Sequence, residues 1–162
     1  MTGCGVLPPP EASFSSGQSF GFDAKYQATP LRTNLQFPSI RFDNFKISAG
    51  PELVTDIISQ PQRGYLAGVC GDVRLSYRIS DWTFFGEGGS GPVYLSIPTP
   101  EQGNPGFNFL DQVGVGIDYH LTENLGFGVR YRLAHISDAG IRDIPNHGIN
   151  SNTLMLSFSL NF

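Results

Sequence analysis

His135 and Ser137 are the residues whose types and spacing could do chemistry, standing two apart near the end of an alternating segment. A histidine within reach of a serine hydroxyl is the minimum for a serine nucleophile. The ring nitrogen removes the hydroxyl proton as the oxygen attacks a carbonyl. Residues i and i+2 of a strand share a face about 6.6 Å apart, a gap that an imidazole can close by leaning. The same pair also suits a strand that simply ends at a polar boundary. Ser–His chemistry needs no cofactor. The other histidines read differently: His147 as a solvated loop residue, His120 as part of a polar strand face. No His, Cys or carboxylate spacing suggests zinc. No glycine-rich loop opens a helix to cradle phosphate. Net charge is −4 with no block of Lys or Arg, so nucleic acid is not an expected partner.

The elements that must position this pair are strands. The chain has 162 residues, enough for one domain. Charged residues are 15%, well below the roughly 25% of soluble domains, yet mean hydropathy is only −0.11. No run approaches the roughly 20 apolar residues of a membrane helix. Alternation accounts for both numbers. Leu154, Leu156, Phe158, Leu160 and Phe162 alternate with Met155, Ser157, Ser159 and Asn161. Leu125, Phe127, Val129, Tyr131 and Leu133 alternate with Gly126, Gly128, Arg130, Arg132 and Ala134. The segments Val113–Leu121 and Tyr65–Ile79 repeat the pattern, with Asp118, Asp72, Arg74 and Arg78 on their polar faces. Residues Trp82 to Leu95 make a less regular strand, whose run Gly86-Glu87-Gly88-Gly89 suggests a bend or bulge. Phe20 to Ala28 reads as a first strand after a Pro-, Ser- and Gly-rich tail or linker over residues 1–18. Gln36 to Ser59 is expected to hold two more strands, with limits blurred by Pro38 and Pro51.

Alternation alone does not say which face is outside, since a sandwich strand also alternates. Charges of both signs on the polar face can pair inside a narrow barrel, and an apolar face about ten residues long fits a membrane-spanning strand. Connection lengths favour the barrel. Ser80-Asp81 and Thr122-Glu123-Asn124 are short, whereas Ser96–Gly106 and Asp138–Asn150 are long, as when one barrel end faces the periplasm and the other the exterior. The expected architecture is an all-β, antiparallel, eight-stranded transmembrane barrel over residues 19–162. The alternating aromatic ending on Phe162 resembles the signal read by outer-membrane assembly machinery. The strand from Leu125 then rises outward, and His135 and Ser137 fall on its lipid-facing side near the outer-leaflet boundary. There the ester bonds of lipopolysaccharide join acyl chains to sugar.

The segment from Arg130 to Ile141, with Pro145-Asn146-His147-Gly148-Ile149-Asn150-Ser151 after it, resembles the C-terminal signature of the lipid A 3-O-deacylase (acyloxyacyl hydrolase) family. Phe84–Gly91, Phe107–Phe109 and Gly114–Gly116 are also similar to it. The resemblance covers the last half of the chain well and the first half loosely. It implies an eight-stranded barrel with its site on the outer wall, hydrolysing the 3-O-acyl ester of lipid A. It puts His135 in the place of the base and Ser137 in that of the nucleophile. Two positions depart. The third member of the triad is usually acidic, and Asn150 stands there. An amide can still orient an imidazole, but it stabilises the cation less. The residue after the nucleophile is usually Asn, an oxyanion donor, and Asp138 stands there. A carboxylate donates only when protonated.

The leading expectation is therefore an outer-membrane serine esterase acting on lipopolysaccharide. The alternative is a structural or adhesive barrel that has lost the complete triad, and a soluble periplasmic barrel is a third reading. A homodimer is left open. Met1-Thr2-Gly3-Cys4 looks like the end of a lipoprotein cleavage signal, without the charged and apolar regions that precede one. Cys4 is thus either a lipidation site or without a role.

Overall fold

In the computed structural model the described residues are 9–22, 25–99, 103–141 and 147–162. Cys4, Ala24, Pro145 and Asn146 lie outside them. The strands are β1 (Glu11–Gly21), β2 (Gln27–Phe42), β3 (Phe45–Gln60), β4 (Gly64–Ile79), β5 (Trp82–Leu95), β6 (Gly106–His120), β7 (Leu125–Ser137) and β8 (Ile149–Asn161). Each pairs antiparallel with the next, and β8 pairs back to β1, closing the barrel. Closure leaves no unpaired edge, the condition for strands to cross a membrane. Among the described residues no helix is long and apolar enough to cross one.

One end of the barrel carries the short turns at residues 43–44, 80–81 and 121–124; the other carries the connections 22–26, 61–63, 96–105 and 138–148. Asp43 and Ser80 take positive φ, 49° and 53°, as tight hairpin turns require. The wall alternates as expected. Leu154, Leu156, Phe158 and Leu160 face outward with Val129 and Tyr131, whereas Arg130, Arg132, Asp118 and Asp72 are buried within. Aromatic pairs gird both ends. Phe45–Tyr77, Trp82–Tyr119 and Phe127–Phe158 lie toward the turn end, and Tyr65–Tyr94 and Phe107–Phe109 toward the loop end. Such belts mark the two interfaces of a bilayer.

Ion pairs fill the interior. Arg132 grips both carboxylate oxygens of Glu52 at 2.8 Å and reaches Glu87 at 2.6 Å. Arg74 joins Glu87 at 3.1 Å to Glu11 at 2.8 Å, and Arg32 pairs with Asp56. Inward glycines make room for these groups. A Cβ at Gly114 would strike Arg132, and one at Gly116 would strike the Phe85 ring, over which the Arg74 guanidinium lies at 4.5 Å. Toward the loop end the interior turns apolar, with Leu66, Cys70, Val93, Leu95, Leu110, Ile136 and Ile149 packed together. The lumen is thus a charged lattice beneath an apolar cap.

Three details differ from the sequence expectation. β1 begins at Glu11, inside the stretch read as a tail, and the chain turns between Gly21 and Tyr26 through a 2.7 Å hydrogen bond rather than running straight through Phe20–Ala28. Serines cause the discrepancy. Ser13, Ser15 and Ser19 are the buried inner face of β1, and their composition is that of a linker. The glycine run of β5 makes no bulge, since its pairing with β4 and β6 continues without a shift. The irregularity falls instead in β2, beside Pro38, where proline removes a ladder donor.

Candidate active site

His135 and Ser137 occupy the last turn-outs of β7 on the outward face, above Leu133 and Tyr131. Between them Ile136 points inward into the apolar cap and anchors the strand end. On β8, Ile149 packs into the same cap, which puts the next residue, Asn150, on the outer wall. The register pairs His135 directly with Asn150. The two side chains meet, with His135 Nδ1 at 2.8 Å from Asn150 Oδ1. With the amide oxygen accepting, Nδ1 carries the hydrogen and Nε2 keeps its lone pair, the tautomer a general base needs. Ser137 lies two residues further along the same face, opposite Phe109 of the loop-end aromatic belt. Among the described residues no hydrogen bond joins Ser137 to His135. Proton transfer between them would need a side-chain rotation first, as is common before substrate binds.

The Pro-Asn-His-Gly segment contributes Gly148. It has φ +71°, and a Cβ there would collide with His135 Cε1. Glycine is needed twice over: for the left-handed backbone and to let the imidazole lie flat on the main chain. His147 is exposed beside it. His120 is at the turn end, its Nε2 2.9 Å from Thr83 Oγ1.

Asp138, the oxyanion candidate of the sequence reading, is turned away from the face that carries His135 and Ser137. Alternation puts the residue after Ser137 on the opposite face, and Asp138 is buried. Its Oδ1 accepts the Gly140 N–H at 2.9 Å, and its carbonyl accepts the Ile141 N–H at 3.1 Å. The carboxylate thus shapes the turn through Ala139 and Gly140, both at positive φ.

Sequence reading missed the residue across from His135 on the other side. Asp111 of β6 is its register partner and faces outward, receiving a hydrogen bond from Ser90 of β5. The signal was present. The odd-numbered face of β6 runs Phe107, Phe109, Asp111, Val113, Val115, a single carboxylate in an apolar series. Phe22, Asp111, Val113, Leu133, His135 and Asn150 line one groove on the outer wall.

The sequence matches the family model described as lipid A 3-O-deacylase (PagL) over residues 14–159. The chain belongs to the lipid A 3-O-deacylase family. Among solved structures, the outer membrane enzyme PagL superposes with a TM-score of 0.74 at 18% identity, covering 91% of this chain and 97% of that one. Neisserial surface protein A follows at 0.67 and 12%, covering 94% and 96%. The N-terminal β-barrel domain of Pseudomonas aeruginosa OprF gives 0.59 and 12%, covering 95% and 98%. At these identities the superpositions establish the barrel fold alone. Among curated proteins there is no match. Membership of the lipid A 3-O-deacylase family supports lipid A deacylation in broad terms; the roles of individual residues rest on the local geometry.

Proposed function

We propose that this protein is an outer-membrane serine esterase that removes the 3-O-acyl chain of lipid A at a site on its lipid-facing wall. The observation that carries the reading is the His135 Nδ1–Asn150 Oδ1 contact on the outward face. It orients an imidazole two residues from a serine, level with an aromatic belt. His135 Nε2 takes the Ser137 proton as Oγ attacks the ester carbonyl. The tetrahedral intermediate collapses to an acyl-serine, and the imidazolium returns its proton to the departing sugar oxygen. Water, deprotonated by the same nitrogen, then releases the fatty acid. Because the site is on the outward face, lipopolysaccharide reaches it within the membrane plane.

A structural or adhesive barrel without activity is the second reading. The neutral amide at Asn150 favours it, because an imidazolium gains less from an amide than from a carboxylate. Mass spectrometry of lipid A from outer-membrane vesicles separates the two. Wild type should release a 3-O-acyl chain, and Ser137→Ala and His135→Ala should each lower the rate on the order of 10³-fold or more while the barrel still assembles. Full activity in Ser137→Ala would remove it as nucleophile. An inert wild type, correctly folded, would leave the structural barrel.

A further inference from the structure

Polar side chains stand on the outer wall to one side of the candidate site and not to the other. On β8, Asn152 follows Asn150 on the outward face and is half-buried. On β1, Gln18 is exposed below Phe20, and on β2 Thr29 is half-buried on the same outward face. The register makes these residues neighbours. Asn152 is across from Phe20 and Leu154 from Gln18, and Gln18 Nε2 donates to Thr29 Oγ1 at 3.4 Å. Asn152 Nδ2 donates to the Phe20 carbonyl at 3.3 Å. A side-chain amide has two N–H donors and a carbonyl acceptor. Gln18 and Asn152 therefore each keep an N–H and an oxygen without a hydrogen-bond partner among the described residues. A polar group turned to hydrocarbon without a partner is unfavourable, so the partner comes from outside the chain.

These side chains lie at the depth of His135 because the strands tilt. A register row runs from Ser151 through Ala134, Gln112, Gly89 and Asp72 to Gly50. Ser151 is two residues from the loop end of β8, Gly89 six from that of β5, and Gly50 ten from that of β3. Rows therefore descend toward the turn end on going from β8 to β3. With strands about 4.8 Å apart and tilted about 35–45°, a path at constant depth steps about one residue per strand against that descent. From His135 across Asn150, the path steps toward the turn end. It reaches Asn152 on β8, Phe20 and Gln18 on β1, and Thr29 on β2. From His135 across Asp111 and Ser90, it steps toward the loop end. There it meets Phe109 on β6, Pro92 on β5 and Ala67 on β4. A plain membrane boundary would be polar in both directions. Here one direction from the histidine offers amides and a hydroxyl, and the other offers apolar side chains.

The chemistry of the patch selects its ligand. Its donors and acceptors are all neutral, as suits the hydroxyl and amide groups of a sugar; a phosphate draws Arg or Lys. We infer that Asn152, Gln18 and Thr29 form a carbohydrate subsite that holds the sugar of the ester on the β8–β1–β2 side of His135. This inference rests on the esterase reading for its reaction, but the subsite can be tested without turnover. The first arm uses Ser137→Ala, assembled in vesicles with lipid A whose sugar carries a diazirine. After illumination, adducts should concentrate on the β1, β2 and β8 peptides containing Gln18, Thr29 and Asn152. Adducts on β4 to β6, adducts spread evenly around the wall, or no adducts overturn the subsite. The second arm compares lipid A with a simple alkyl ester of the same fatty acid. Gln18→Leu and Asn152→Leu should each lower the ratio of kcat/KM for lipid A to that for the alkyl ester at least tenfold. A loss of folded protein alone would lower both rates together and leave the ratio in place. Thr33→Leu, outward on β2 and deeper in the wall, should not move it. Dephosphorylated lipid A should show the same dependence on Gln18 and Asn152. A dependence seen only with the phosphorylated lipid would make phosphate the bound group and overturn the sugar. Unmoved ratios in folded variants overturn the proposal too, and a dimer lost in those variants would then assign the patch to a second copy of the chain. Adducts on the patch with a wild type inert toward every ester would sink the esterase reading and keep the subsite. If a leucine variant fails to assemble, the cross-linking arm decides.

Discussion

At the residue scale the unusual feature is an amide where the family usually has an acid. Replacing a triad carboxylate by an amide is most damaging when it enforces the wrong imidazole tautomer. Here Oδ1 faces the ring at 2.8 Å, so on the proposed esterase reading the amide holds the useful tautomer and only the charge is missing. Asn150→Glu should therefore raise deacylation about tenfold or more, each decade being 1.36 kcal/mol of barrier, while Asn150→Ala should lower it less than His135→Ala does. Initial rates of fatty-acid release from lipid A vesicles check both. Gly148→Ala should be costly for a different reason: its Cβ would strike His135 and its φ is +71°. Displacing a reacting group by about 1 Å can cost on the order of 10²-fold. The expected result is a kcat lowered by that order in a barrel that still assembles. Asp138→Asn keeps an oxygen for the Gly140 N–H and should disturb the turn less than Asp138→Ala, compared in the same assay.

At the element scale, β7 and β8 act as a unit. Ile136 and Ile149 are sunk in the apolar cap, which fixes their neighbours on the outer wall. Further down, the β8 wall is lipid-facing, with Leu156 70% exposed on the isolated chain. Arg at such mid-depth costs about 2–4 kcal/mol. Leu156→Arg should lose that much stability in urea titrations in lipid vesicles, whereas Leu156→Phe should change it little. How much of these elements was legible follows from their side chains. β4, β6, β7 and β8 pair apolar residues with charges or glycines, and their alternation stands out. β1 pairs Phe14 and Phe20 with serines, so half of it read as a linker. β5 read as irregular because its outward glycines break the apolar series, although its backbone pairing is regular.

At the scale of the whole molecule, the lumen is a structural core. Removing one partner of a buried ion pair leaves an uncompensated charge, a loss of about 3–5 kcal/mol. Arg132 serves Glu52 and Glu87 together, so Arg132→Met should lower the urea midpoint accordingly, with deacylation per folded molecule largely retained. Among the described residues, buried ion pairs and the apolar cap above them pack the lumen. Purified protein in planar bilayers should show no stepwise ion conductance, and steady channels would contradict the packed lumen.

The period of two along each strand is local, so the sequence by itself determined which side chains share a face, His135 and Ser137 among them, and the charges on one face marked it as the lumen side. Turn residues and connection lengths, also local, determined the order of short and long ends. The partners of His135 were decided by the tertiary structure. Asn150 and Asp111 come from β8 and β6, and only the register of both pairings sets them beside the ring. A slip of one residue would turn Asn150 into the lumen. Closure is less local still: the stagger that joins eight strands into a cylinder is encoded by no single segment.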